Sequence, residues 1–258
     1  MPVVAAAVAP ASPLLLPGIV RPARQLAARL ATAAAQVGAE IYARSPDAVV
    51  LVFAAEDDTA GFCLYHGTQL SYRFASYGDL VTEGSFNGAV AFTHRFKEAN
   101  ETGFPLPLVS GRELPGAAAS ALLALGPTVR ALPVCPLQVP GLAALSDLST
   151  IGGLLGEYVA ATSSRVAVVA AGSLARESPA RSGEADVLDQ QVRRALAEQS
   201  VELCQNLSGE LRRRSGERLV APLTVVLRAL QSVNLQLQVT AYERVAGTGL
   251  LTAYLAVR

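Results

Sequence analysis

Residues 47–58 read DAVVLVFAAEDD, an apolar run set between a Ser-Pro pair and an acidic cluster. The run has strand length, is rich in valine and shows no polar alternation. A strand with one wet face would alternate, so this one is expected to be buried on both faces, as in a parallel sheet. Two other stretches have the same character: VVAAAVA at residues 3–9, which runs into a Pro10–Gly18 loop, and SRVAVVAAG at residues 164–172. Three such runs separated by helical patterns decide the fold class.

Between and after them the spacing of apolar residues predicts further elements. Helices are expected over residues 21–45, over SFNGAVAFTHRFKEANETG (85–103, closed by Gly103) and over PGAAASALLALG (115–126, stopped by Gly126). Another helix is expected over residues 146–163 with Ser146 as N-cap, a charged two-helix segment over 183–216, and a helix that starts at Pro222. Strands are expected at QLSYRF (69–74), PLPLVS (105–110), LQLQVTAYE (235–243) and GLLTAYLAV (249–257). VRALPVCPLQV (129–139) also reads as a strand, its prolines marking an edge or the strand ends. The segment between residues 56 and 85 is otherwise irregular. No linker, repeat or low-complexity tract interrupts the chain. The expectation is one α/β domain over residues 1–258, three layers α/β/α around a mostly parallel, mixed central sheet.

Composition narrows the function classes. Hydrophobic residues make up 51% of the 258 residues, aromatics only 5%, and there is no Trp. Lys+Arg and Asp+Glu are both 21, so the chain has no basic footprint for nucleic acid. The one dense basic run, LRRRSGER with Arg212, Arg213, Arg214 and Arg218, is expected to be a solvated helix end favoured by the helix dipole. Cys63, Cys135 and Cys204 are odd in number and scattered, which argues against a disulfide framework or a structural zinc site and for three buried apolar side chains. Residues 1–20 hold no Lys or Arg and four prolines, so neither a secretory signal nor a membrane span is expected there, and a cytoplasmic protein is. Nucleotide-binding, zinc-protease and nucleophile-elbow motifs are missing.

Open α/β sheets bind ligands beyond the carboxyl ends of their strands. Three loops therefore matter, and they read Pro10-Ala11-Ser12-Pro13-Leu14-Leu15, Ala54-Ala55-Glu56-Asp57 and Gly172-Ser173-Leu174-Ala175-Arg176. In these frames the chain resembles the superfamily of class III extradiol ring-cleavage dioxygenase catalytic chains (LigB-like), which also contains the Memo-like proteins. That family carries a metal-binding His in a Pro-His-x-Pro-Leu-Leu turn, a second His after a Pro-Asp-led strand, and a Gly-Asp-Leu-Ser-His strand end whose His is an acid/base. A late Glu or Cys completes the ligand set.

On this chain Ala11 stands at the first His, Ala55 (or Glu56 in the other register) at the second, and Arg176 at the acid/base, while Ser173 replaces the Asp. Glu217 is the nearest match to the late ligand, with Arg218 an equal contender. Ring cleavage by this chemistry needs Fe(II) on about two His and one carboxylate, with a base for the bound diol. Alanine has no lone pair to give.

The resemblance therefore implies a catalytically degenerate, metal-free member with a binding or structural role, as a homodimer or as the partner of a catalytic paralogue. Its retained pocket would offer Ser12, Glu56, Asp57, Ser173 and Glu217, with Arg176 favouring a small anion. The competing expectation is an active extradiol dioxygenase that holds Fe(II) with shifted ligands. A Glu56–Glu217 pair on a hard cation, or metal-free chemistry by Ser12, Ser173 and Arg176, are narrower versions of activity. The only histidines, His66 and His94, are expected in packing or surface roles.

Overall fold

The computed structural model describes residues 2–16, 24–57, 60–178 and 183–258. Its centre is an eight-stranded mixed sheet. The three apolar runs form β1 (Val3–Pro10), β2 (Ala48–Ala54) and β8 (Val166–Gly172), and β8 lies between the other two with parallel pairing on both sides. Outside β2 comes β7 (Val134–Val139), also parallel, then β3 (Cys63–His66), antiparallel to β7, and β6 (Leu108–Ser110). Outside β1 the antiparallel hairpin of β10 (Thr248–Val257) and β9 (Leu235–Val245) closes the row. The order is β6-β3-β7-β2-β8-β1-β10-β9, and a two-stranded sheet of β4 (Gln69–Phe74) and β5 (Asp79–Asn87) stands beside it.

Both faces of the central strands are buried, as the unbroken apolar runs require. Ala6 and Val8 of β1, Val50 and Val52 of β2, and Val168 and Ala170 of β8 pack on one side. They meet α5 (Leu145–Ala161), α6 (Glu184–Ala197) and α9 (Val220–Ala229) through Leu148, Ile151, Leu155, Leu188, Val192 and Leu223. The alternate residues Ala5, Ala7, Val49, Leu51, Phe53, Ala167 and Val169 pack on the other side. There they meet Val37 and Ile41 of α1 (Arg24–Ala43) and Ala118, Ala121 and Leu122 of α3 (Gly116–Ala124). The period of two along each strand divides one apolar run between two cores. The result is the expected three-layer α/β/α domain.

Several local expectations are corrected. The irregular middle contains β3 and the β4–β5 hairpin, and residues 85–87 belong to β5 rather than to the helix that follows. That helix, α2 (Val90–Ala99), ends at Asn100, so Gly103 does not close it. β7 is an interior strand despite Pro136. The proline pairs with Leu51 of β2, whereas β3 pairs only with Leu137 and Gln138, so the missing N–H falls where no β3 partner asks for it. Residues 129–130 of the same stretch belong instead to a helical turn, α4 (Pro127–Arg130). α5 is capped at Ala144, which leaves Ser146 inside its first turn. The charged segment holds three helices, α6, α7 (Val201–Gln205) and α8 (Gly209–Ser215), because Ser200 and Ser208 each accept a backbone N–H and restart the helix. α9 begins at Val220, two residues before Pro222. Pro17, Gly18 and residues 21–23, in the predicted loop and helix start, lie outside the described residues. All three cysteines are free and buried, as expected. No helix among the described residues is long and apolar enough to cross a membrane.

Candidate functional site

β1, β2 and β8 run in one direction, so their carboxyl ends lie together, and a cleft of about 560 Å³ opens there. Its walls are the three loops singled out from the sequence, joined by Tyr77, Ala117, Gly216, Arg218 and Thr248. The first wall is local in origin. Ser12 is extended (φ −154°) and its Oγ accepts from Leu14 N at 3.3 Å, capping the single 3₁₀ turn Pro13–Leu15. Ala11 N donates to Gly172 O at 2.9 Å, which ties the end of β1 to the end of β8. Ala11, 7% exposed, thus lines the cleft with a methyl group.

The second wall comes from β2. Ala54 and Glu56 reach the cleft, whereas Ala55 is 2% exposed and lies outside the lining, its N–H bonded to Val139 O at 2.8 Å. Asp57 is exposed and also outside it. Glu56 is held by two groups that sequence reasoning missed. Tyr77 Oη donates to its Oε1 at 2.5 Å, and Ala117 N in the first turn of α3 donates to the same oxygen at 3.3 Å. A carboxylate at a helix N-terminus is favoured by the helix dipole. Burial, then the hydrogen bond to Glu56, pushes the Tyr77 hydroxyl well above its ordinary pKa of 10, so the tyrosine stays a donor.

The third wall is Gly172-Ser173 and Arg176. A Cβ on Gly172 would sit 2.5 Å from Arg218 O and Leu219 Cα, so only glycine lets the 217–219 segment approach. Ser173 makes no side-chain hydrogen bond among the described residues. Arg176 is exposed at the cleft and forms no side-chain ion pair among them. Its main chain bridges to Thr248 at the start of β10.

Glu217, expected in the pocket, is not in its lining. It is fully buried, its Oε2 accepts from Arg212 Nε at 2.9 Å, and its Oε1 accepts the N–H groups of Leu219 and Val220, closing the start of α9. Arg212 Nη2 donates in turn to Gly141 O at 2.8 Å. Glu217 therefore cannot join Glu56 on a cation, and Arg212 (3% exposed) is no solvated helix end. Only Arg213 and Arg214 of that run fit the expectation, both exposed and paired with Glu210. Arg218 enters the cleft instead, with Nη2 3.4 Å from Glu56 O.

The histidines lie elsewhere. β3 runs against β7, so His66 at its end sits toward the amino ends of the parallel strands, away from the cleft. His94 meets it edge to face, with ring centroids 4.6 Å apart, and His66 Nδ1 is 3.3 Å from Ser110 Oγ. Burial and then the neighbouring His94 pull the His66 pKa below its usual value. Neither ring can serve as a base for Ser12 or Ser173. Among the described residues the cleft's lining thus carries one carboxylate (Glu56), two guanidinium groups (Arg176 and Arg218), the hydroxyl-bearing Ser12, Tyr77, Ser173 and Thr248, and an apolar floor of Ala11, Ala54 and Ala171. Among the described residues no group of three or more His, Cys, Asp or Glu side chains is placed to share a metal ion. The lining formed by the described residues, with a single carboxylate and no imidazole or thiol, does not fit an Fe(II) centre.

No protein-family model and no curated protein sequence matches the chain. Among solved structures it is similar to the uncharacterized protein JW3007 from Escherichia coli K12, with a TM-score of 0.62 and 17% identity over 97% of this chain and 99% of that one. At that identity the likeness is one of fold.

Proposed function

We propose that the protein is a catalytically degenerate, metal-free relative of the class III extradiol ring-cleavage dioxygenases, whose strand-end cleft binds a small anion. The observation that carries the reading is the meeting of Ala11 and Arg176 in one cleft at the carboxyl ends of β1 and β8. A methyl group stands where the resemblance calls for a metal ligand, and a permanent cation stands where it calls for a titrating imidazole. Arg176 presents up to five donors, and the Ser12 and Ser173 hydroxyls add to them, which suits a carboxylate or phosphate more than a neutral ring. A binding or structural role, as a homodimer or beside a His-bearing paralogue in the cytoplasm, is what this chemistry supports. Three free, buried thiols suit such a reducing compartment.

The test is titration of anaerobically purified protein with Fe(II), and calorimetry with benzoate and inorganic phosphate as probes. Sub-stoichiometric Fe(II) is expected. At least one anion should bind, and Arg176→Gln should weaken it about tenfold or more, the scale of a lost charge-assisted hydrogen bond. Stoichiometric Fe(II) at low micromolar affinity, together with catechol consumption, would overturn the reading.

A further inference from the structure

Arg176 is exposed and its side chain is held by no partner among the described residues. Its own N–H donates to Ser215 O at 2.7 Å, and the backbone just before it is fixed by a polar cluster built on one buried carboxylate outside the cleft lining. Asp189 of α6 is 1% exposed. Its Oδ1 accepts from Ala175 N at 2.9 Å, and its Oδ2 accepts from Tyr242 Oη and from Arg244 Nη2, each at 2.7 Å. Arg244 Nη1 then donates to Ala175 O and to Gly247 O, both at 3.1 Å. The residue before Arg176 and the residue before Thr248 are therefore pinned by one guanidinium and one carboxylate.

The local backbone is built around this cluster. Ala246 (φ +48°) and Gly247 (φ +79°) make a two-residue turn with both φ positive, the form that matches strand twist. Leu174 N donates to Gly249 O, Gly249 N to Ala175 O, and Glu177 N to Gly247 O, so the two loops zip together. A Cβ on Gly249 would fall 2.3 Å from Asp189 Oδ2, so glycine is needed for the carboxylate to reach the zipper. The Arg193 guanidinium lies over the Tyr242 ring, 4.9 Å from its centroid.

An apolar filling would serve stability as well, because a buried ion pair loses in desolvation much of what it gains in attraction. What apolar groups cannot do is fix the direction of two backbone segments. We propose that Asp189, Tyr242 and Arg244 are positioning residues that preset Arg176 and Thr248 for the anion. This rests on the reading of Arg176 as the anion's contact.

Tyr242→Phe removes one hydroxyl and keeps the ring. Asp189→Asn keeps an acceptor for Ala175 N and removes the buried one of the two carboxylates that pair with Arg244, leaving Asp186 at 2.8 Å. Three quantities are measured on each full-length variant: the thermal midpoint, the dissociation constants for benzoate and inorganic phosphate, and hydrogen exchange of the amides at residues 174–177. Tyr242→Phe should leave the midpoint within about two degrees of wild type while weakening the anion about fivefold, the size of one lost hydrogen bond. Exchange at residues 174–177 should quicken, and Asp189→Asn should do the same more strongly. Unchanged affinity with unchanged exchange overturns the proposal, as does a loss of affinity that only follows a fall in midpoint. If wild type binds neither probe, the anion reading fails, and the exchange data alone then decide whether the cluster positions the loop.

Discussion

Arg212 and Glu217 show how little a charged residue's neighbours in sequence say about its surroundings. Both come from LRRRSGER, and both are buried while Arg213 and Arg214 beside them stay in solvent. One turn of α8 separates the two outcomes, since 100° per residue turns Arg212 inward and the next two outward. Removing one member of a buried pair leaves the other charge without compensation, at a cost of about 3–5 kcal/mol. Glu217→Ala should therefore lower the urea midpoint sharply and free the start of α9, whereas Arg213→Ala should change stability by less than about 0.5 kcal/mol. Equal effects of the two substitutions in equilibrium unfolding would show that the buried pair is not what holds this turn.

Among the elements, α5 and α9 illustrate what a glycine pattern means only after packing is known. Gly152, Gly153 and Gly156 lie on one helix that the apolar spacing already marks. A Cβ at Gly156 would stand 2.5 Å from Ala229 O, and one at Gly152 would stand 2.7 Å from Arg228 Cβ, while Gly153 meets nothing within 4 Å. Two of the three glycines let α9 approach and the third faces open space. Gly156→Ala should then cost about 1–3 kcal/mol through overpacking. Gly153→Ala should stabilise the fold by roughly 0.5–1 kcal/mol, because alanine gives up less backbone entropy in a helix. Thermal unfolding of the two variants checks both signs, and a shared sign would contradict this helix crossing.

At the scale of the whole molecule the two cores set an alkaline limit. Burial raises the thiols of Cys135 and Cys204 from an ordinary 9.0 to about 12, and that of Cys63 to about 11. The native state holds these protons more tightly than the unfolded chain does. Stability from this source is complete below pH 9 and is lost as pH rises from 9 toward 12, by about 1.4 kcal/mol per pH unit for each fully buried thiol. Denaturant midpoints at pH 8, 9 and 10 should fall in that order. A Cys135→Ala, Cys204→Ala double variant should fall less steeply, and an identical slope would assign the loss to other groups.

The three unbroken apolar runs, their length and the turn residues after them determined the fold class and the end of the sheet where a cleft would lie. Those properties are local, because a strand buried on both faces must be apolar throughout and a loop must follow it. Ala11, Ser12, Ser173 and Arg176 were legible as cleft residues for that reason. Which residue of the 54–57 loop enters the cleft, what Glu56 bonds to, and whether Glu217 reaches it were decided only by tertiary structure. Glu56 depends on segments distant in sequence, Tyr77 from the irregular middle and the start of α3. Glu217 bonds to near neighbours, Arg212, Leu219 and Val220, but only the packing of α8 and α9 against the core turns its carboxylate inward. Of the two readings of the prolines in residues 129–139, the strand-end one fits Pro133, just before β7, and the edge one does not fit Pro136. A proline's missing N–H matters only when a neighbouring strand is there to ask for it.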